Sequence, residues 1–445
     1  MFTGLMKCVL KSDMNNKYIT RILRRIGTYR KAMIDLQIGL TAIPALSPDN
    51  GGAGEGEKSR YLRGVLQQLG FEKIWEISAP DKRVSGGRRP NIFARLPGRN
   101  DDKTVWVLTH TDIVPPGESS RWSHDPYRAY VRGGKIFGRG TEDNQQDMVA
   151  SIFAAKAFLD EGILAETSLG IALVADEETA SGFGLDYVLN SRKNPFRTTD
   201  IIIVPDAGNK RGDAIEVAEK SILWLKFTIT GKQCHASTPS QGKNAFLAGS
   251  HLVVSLNELH QVFDAVDTLY RPSSSTFQPT RKDANVPNIN TIPGEDIFYF
   301  DCRVLPRYSL RIVLSEIKKR MKKVEKLFGV TIDVTPVQYV QAPAATPHDA
   351  PAVRALQAAI RDVYKVTTSP IGVGAGTVAA YFRRKGYPVA VWSRTMQTAH
   401  QPDEYCLIKN MVGDAKVFAH LFLQDYGTVS RQHRLGSSRK NGLRR

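Results

Sequence analysis

Residues 104–117 read TVWVLTHTDIVPPG. Val105, Trp106, Val107 and Leu108 make an unbroken apolar run of strand length, and a Pro-Pro-Gly turn follows at 115–117. Such a run, bounded by turn residues, is the pattern of a strand buried on both faces of a parallel sheet. His110 stands at the end of that strand, where open α/β sheets bind their ligands. The same pattern recurs outward along the chain. Leu169 to Ala175 leads into Asp176-Glu177-Glu178, and Ile201 to Val204 leads into Pro205-Asp206. Between them, residues 144–161 place Met148, Ile152, Ala155 and Leu159 at helical spacing. Strands alternating with helices predict an α/β fold whose central sheet is mostly parallel and flanked by helices.

Upstream, residues 17–44 (Ile19, Ile22, Ile26, Met33, Leu36) and 58–69 read as helices, separated by a Pro/Gly loop at 47–56. Downstream the character changes. A strand at 223–230, a helix at 245–262, an irregular Pro/Ser/Thr stretch at 271–288, strands at 288–292 and 296–304, a charged helix at 308–327 and a strand at 330–339 follow in turn. That β-α-β-β-α-β order reads as a separate α+β insertion. The α/β pattern then resumes with a helix near 350–364, a Gly-rich turn, a strand at 389–392 and a helix at 410–423. The expected partition is a basic extension with the start of the first helix (1–34), the first part of the main domain (35–222), the insertion (223–340), the second part (341–429) and a basic disordered tail (430–445).

With 445 residues, 42% of them hydrophobic, the chain can bury a large core. No window approaches the 18 or so apolar residues of a membrane span. The first residues lack the apolar stretch of a signal peptide, and Cys8, Cys234, Cys302 and Cys406 are widely spaced. Both features predict a cytoplasmic protein with reduced thiols. The net charge of +17 is concentrated at the ends, with +6 in residues 1–35 and +6 in 430–445. A nucleic-acid-binding or scaffold protein would instead show a basic stripe interleaved with aromatics in its body, so that reading is the remote alternative.

The chemistry-bearing residues are of one kind. His110, Asp143 (in GRGTEDN), Glu178, Asp206 and His400 (in AHQPDE) are two imidazoles and three carboxylates, the ligand supply of a two-metal hydrolytic site. Asp112, two residues after His110, can fix the imidazole tautomer. In the Glu177-Glu178 pair, one carboxylate can bind metal while the other moves protons. Taken singly, each of these is more often a structural residue, and an acidic turn in solvent is the favoured alternative for 176–178. Only the joint pattern is specific.

Five separated motifs carry a resemblance. VLTHTDIVPPG (107–117), GGKIFGRGTEDN (133–144), ADEE (175–178), GKQCHASTP (231–239) with GKNA (242–245), and AHQPDE (399–404) resemble, in order, the dinuclear-zinc family of aminoacylases, acetylornithine deacetylases, succinyl-diaminopimelate desuccinylases and glutamate carboxypeptidases. The resemblance implies a zinc-peptidase catalytic domain interrupted by a ferredoxin-like lid and dimerisation domain. It implies two divalent metals, zinc first with cobalt or manganese tolerated: His110 and Asp206 on one, Glu178 and His400 on the other, Asp143 bridging. It further implies Glu177 as general base, Asp112 as orienting carboxylate, and His235 as an oxyanion donor reaching into the partner's site of a homodimer. Arg303, Asn244, Asn290 and the Gly376-Thr377 turn look like its substrate-binding groups, so the expected substrate is a small anionic amide. An N-acyl amino acid is expected ahead of a small peptide cleaved by an exopeptidase. Two features depart from the common pattern. Asp143-Asn-Gln-Gln-Asp147 replaces Asp-x-Lys-Gly, and Asp206 is Glu in some branches; with EVAEKSILW at 216–224, the former resembles a loosely defined prokaryotic desuccinylase-like branch.

Overall fold

The computed structural model describes residues 16–426. The expected basic tail at 430–445 and Cys8 lie outside them. An eight-stranded sheet runs in the order Lys73–Pro80, Arg88–Leu96, Thr167–Val174, Asn100–His110, Ile201–Gly208, Val389–Ser393, Ala214–Glu219, Ser369–Val373. It is parallel where Asn100–His110 meets Thr167–Val174 and where Val389–Ser393 meets Ile201–Gly208, and antiparallel at the Lys73–Pro80 edge. Helices flank it, as the alternation of elements predicts. The chain divides into two compact units.

Unit one comprises the chain up to 174, residues 199–201 and the chain from 400 onward. Its strand Asn100–His110 is buried over its last seven residues. Trp106 pairs in register with Gly170, and a β-carbon on that glycine would stand 2.2 Å from the indole. Only glycine fits there. Asp200 ties the same strand from its other side, accepting from the Thr104 backbone N–H (2.9 Å) and the Trp106 indole N–H (3.0 Å). Helix Gln146–Glu161 is buried on almost every face and packs on Ile408–Leu423, with Phe158 edge-on to Phe422. The single helix expected over 17–44 is two, 16–28 and Arg30–Thr41, broken after Gly27-Thr28-Tyr29, residues of low helix propensity. A small sheet of Tyr130–Arg132, Lys135–Phe137 and Tyr405–Leu407 was not expected.

Unit two holds residues 175–198 and 202–399. Within it, the antiparallel sheet Thr276–Lys282, Glu295–Val304, Ser221–Thr230, Thr331–Val340 carries helices Ala245–Asn257 and Leu310–Phe328 on one face. Strands Ser221–Thr230 and Glu295–Val304 alternate buried and exposed residues, so one sheet face is core. Phe227, Phe298, Phe300, Leu252 and Ile317 fill it. Ser309 caps the Leu310–Phe328 helix, and Gly329 closes it in the left-handed conformation. Within this antiparallel sheet one strand differs from the sequence reading: Thr276–Lys282 lies in the stretch expected to be irregular, whereas residues 291–292 pair with 234–235. Pro279 hid it. It sits at a bulge on an edge strand, where a missing N–H is tolerated.

Candidate metal centre

In unit one, two of the expected ligands meet on the carboxylate of a third. His110 Nε2 is 3.0 Å from Asp143 Oδ1, and His400 Nε2 is 3.1 Å from Asp143 Oδ2. Asp143 thus offers one oxygen to each imidazole, the arrangement a bridging carboxylate needs. The other nitrogen of His110, Nδ1, lies 3.0 Å from the backbone carbonyl of Asp112. A carbonyl only accepts, so Nδ1 carries the proton and the Nε2 of a neutral ring presents a lone pair to Asp143. Two lone pairs 3.0 Å apart require a proton or a cation between them. Ligands of a tetrahedral ion with bonds of about 2.0–2.2 Å stand roughly 3.3 Å apart, so the donors fit a metal. The Asp112 carboxylate is farther, with Oδ1 at 3.5 Å from Nδ1. The closer anchor of the His110 ring is the Asp112 main chain.

Burial pushes the Asp143 carboxyl up, but the hydrogen bonds and charges of His110 and His400 outweigh it and hold the group well below the ordinary carboxylate range. The loop carrying Asp143 is itself clamped by a residue to which the sequence assigned no role. Glu404, fully buried, accepts from the backbone N–H groups of Glu142 (2.9 Å), Asp143 (3.1 Å) and Gly140 (3.0 Å) and from Arg139 (2.6 Å). Burial raises its carboxyl to about 7 against the pull of Arg139. Its position within AHQPDE was the only available signal. His400 has φ +62° and Asp403 φ +56°, so this turn holds two non-glycine residues in the left-handed region.

In unit two, Glu177 and Glu178 occupy a single helical turn, Glu177–Thr179, just past the end of a sheet strand. Asp176 organises it. Its carboxylate accepts from the Thr179 hydroxyl and from the Phe183 N–H (2.9 Å), and its carbonyl accepts from the Ser181 N–H (2.6 Å). Asp176, Ala180 and Ser181 all have positive φ, at 64°, 85° and 55°. Non-glycine residues held there cost on the order of 1 kcal/mol or more each, and surrounding contacts must fix them. Tyr381 contributes by donating to the Ala180 carbonyl at 2.6 Å. Asp206 lies two residues before the end of strand Ile201–Gly208.

The remaining expected residues fall into two groups, both in unit two. His235 pairs with Thr291 across two short strands, and the Asn290 carbonyl accepts from Ala236 N–H at 2.9 Å. Ser237 donates to His235 Nδ1 through its backbone N–H (3.1 Å). Asn244, on the adjoining segment, caps helix Ala245–Asn257 by accepting from Leu247 N–H at 3.0 Å. In the second group, Arg303 grips Asp301 with two N–H donors (2.7 and 2.9 Å) and gives a third to the Gly374 carbonyl (2.9 Å). That bond joins it to the glycine turn containing Gly376 and Thr377.

Comparison with known proteins identifies a family. Residues 106–424 match the family described as peptidase family M20/M25/M40. A protein of Methanococcus maripaludis, called an uncharacterized metallohydrolase, is 38% identical over 409 residues, covering 86% of this chain and 97% of its own. A succinyl-diaminopimelate desuccinylase of Methylobacterium is 27% identical over 396 residues, covering 86% of this chain and 93% of its own. The crystal structure of an aminopeptidase from Bacillus cereus superimposes with a TM-score of 0.71 at 17% identity, covering 88% of this chain and 98% of its own, which is a likeness of fold. The chain therefore belongs to peptidase family M20/M25/M40 and is a metallohydrolase acting on amide or peptide bonds.

Proposed function

We propose that the chain hydrolyses the amide of a small N-acyl amino acid, in the manner of a desuccinylase or deacetylase, with two divalent metals, zinc first among them. The observation that carries this reading is the Asp143 carboxylate held between the Nε2 atoms of His110 and His400. On this reading His110 and Asp206 would hold one ion, Glu178 and His400 the other, with Asp143 shared between them. Divalent cations bound there would supply Lewis acidity toward an amide carbonyl and an attacking water. Glu177, not a ligand, takes the proton of the attacking water on a carboxylate oxygen and delivers it to the leaving nitrogen. Asp112 holds the His110 ring through its carbonyl. His235, from the partner of a dimer formed through the insertion at 223–340, faces the developing oxyanion.

The acid end of the substrate is assigned to Arg303, with Asn244, Asn290 and the Gly376-Thr377 turn around it. Three of the five guanidinium N–H donors of Arg303 are engaged by Asp301 and Gly374, which leaves two for a carboxylate. The second reading is an exopeptidase, supported by the aminopeptidase likeness and by the same geometry, because a peptide also presents an amide beside a carboxylate. Among the described residues no helix is long and apolar enough to cross a membrane; we place the enzyme in the cytoplasm.

The test is a hydrolysis panel of N-succinyl-diaminopimelate, N-acetylornithine, other N-acyl amino acids and dipeptides, with metal content measured in parallel. Close to two metals per chain are expected, and Glu177→Ala should keep them while losing at least about 100-fold in kcat. A preparation holding less than one metal sinks the dinuclear centre. Turnover confined to free-amine dipeptides turns the assignment to exopeptidase.

A further inference from the structure

Asp143 sits where regular structure fails. Thr141–Gln145 is a short irregular turn leading into helix Gln146–Glu161, and within it Asp143 (φ −113°, ψ 98°) and Asn144 (φ −125°, ψ 35°) leave the helical conformation. Contacts from outside the turn must therefore set its course. On its N–H side the turn is met by Glu404, which accepts from Gly140, Glu142 and Asp143. On its carbonyl side it is met by helix Arg30–Thr41. Gln37 Nε2 donates to the Thr141 carbonyl at 3.1 Å, using the second lone pair of an oxygen that the Gln146 N–H also reaches. Thr41 places its hydroxyl 3.0 Å from the side-chain oxygen of Gln145 and 3.1 Å from the Gln37 carbonyl, with one proton to give. Turning the Gln145 amide so that its nitrogen faces Thr41 satisfies both contacts: the amide donates to the hydroxyl, and the hydroxyl to the carbonyl. Gln37 and Thr41, four apart on one helix face, are wholly buried. They grip the chain two residues before Asp143 and two residues after it.

We propose that Gln37 and Thr41 are positioning residues: from one face of helix Arg30–Thr41 they hold both flanks of Asp143, so that its carboxylate lies between His110 and His400. Stability alone is a poor reason for them. Each of the two amides, Gln37 and Gln145, keeps one polar atom without a hydrogen-bond partner among the described residues, and half-satisfied amides in a core add little to the fold. What the contacts do specify is where the backbone between them runs. Both residues precede 106, where the family match begins, so a segment outside the matched region sets the loop that carries the shared ligand. Groups that orient metal ligands from behind typically change metal affinity by about 10–100-fold when lost. The proposal rests on Asp143 being a metal ligand.

The experiment compares Gln37→Met, Thr41→Val and Thr41→Ser on the full chain, with Ser309→Ala, which weakens a helix cap in unit two, as control. Chelator competition with zinc should show Gln37→Met losing about 10-fold in affinity. Thr41→Val should lose affinity as well, and Thr41→Ser, which keeps the hydroxyl, should retain it. Ser309→Ala should lower Tm and leave the affinity unchanged, which separates placement of the ligand from stability of the fold. On metal-stripped protein, hydrogen exchange read by mass spectrometry should rise about 10-fold in Gln37→Met for the amides of 140–145 and stay unchanged in helix Leu310–Phe328. An unchanged zinc affinity in both Gln37→Met and Thr41→Val overturns the proposal. So do equal losses in Thr41→Ser and Thr41→Val, a comparable loss in Ser309→Ala, or unaltered exchange at 140–145. If Gln37→Met does not fold, the Thr41 pair decides alone. A wild-type chain that binds no zinc overturns the metal reading instead, and the exchange on stripped protein still tests whether Gln37 holds the loop.

Discussion

Glu216 is a carboxyl that folding takes out of water without giving it a hydrogen bond. It is 2% exposed, and neither side-chain oxygen has a hydrogen-bond partner among the described residues. Arg383, its nearest cation at 3.6 Å, sits closer to Glu219. Burial pushes the Glu216 carboxyl up to about 8; Arg383 opposes this, and the charges of Glu219 and Asp206 add to it. Between the ordinary value of 4.5 and about 8 the folded state binds one more proton than the unfolded chain, so stability falls as pH rises through that window. Thermal melts from pH 5 to 8 should show this decline in the wild type, and Glu216→Gln should flatten it by an amount equivalent to about 1 kcal/mol or more. Parallel profiles for the two proteins would refute it. At this scale the sequence revealed residues whose chemistry is intrinsic, such as the imidazoles and carboxylates that follow apolar runs. Asp176 and Glu404 were not legible, because their roles depend on which backbone N–H groups the fold brings to them.

Among the elements, strand Asn100–His110 matters most, since its last residue is a metal ligand on the proposed reading. Asp200 secures it through two hydrogen bonds to Thr104 and Trp106 and is 1% exposed. Asp200→Ala leaves both buried donors without that acceptor and should cost about 2–3 kcal/mol. Urea unfolding would read this as a lower midpoint with unchanged slope, and a loss below about 0.5 kcal/mol would show that the strand is held otherwise. Long amphipathic or wholly apolar segments could be read from sequence. Helices Gln146–Glu161 and Leu310–Phe328 lie within two residues of their expected bounds. Of the strands that escaped notice, four have plain physical reasons. Arg88–Leu96 mixes arginines and a proline with its buried residues, and its partner Lys73–Pro80 is only half covered. Ala214–Glu219 buries two glutamates, and Thr276–Lys282 contains Pro279. Composition alone cannot show that a charged residue will be paired inside a sheet, or that a proline will fall on an edge.

For the molecule as a whole, metal and fold should be coupled. Ions that bind only the folded chain stabilise it by mass action, by about 2.7 kcal/mol at a hundredfold excess over Kd. Stripping the protein with a chelator should therefore lower Tm, and zinc should restore it in proportion to the logarithm of free zinc. A Tm indifferent to zinc would count against the proposed centre. The packing of Gln146–Glu161 on Ile408–Leu423 has a further consequence, which concerns time. The two helices of unit one are separated by about 250 residues of chain. At translation rates of about 5–20 residues per second, the earlier helix waits roughly 12–50 s for its partner to be made. Throughout that interval a helix that is buried on almost every face in the finished protein lacks one of the surfaces that covers it there. The nascent chain must be shielded for much of its synthesis, and a product that stops before residue 400 lacks both that covering helix and His400.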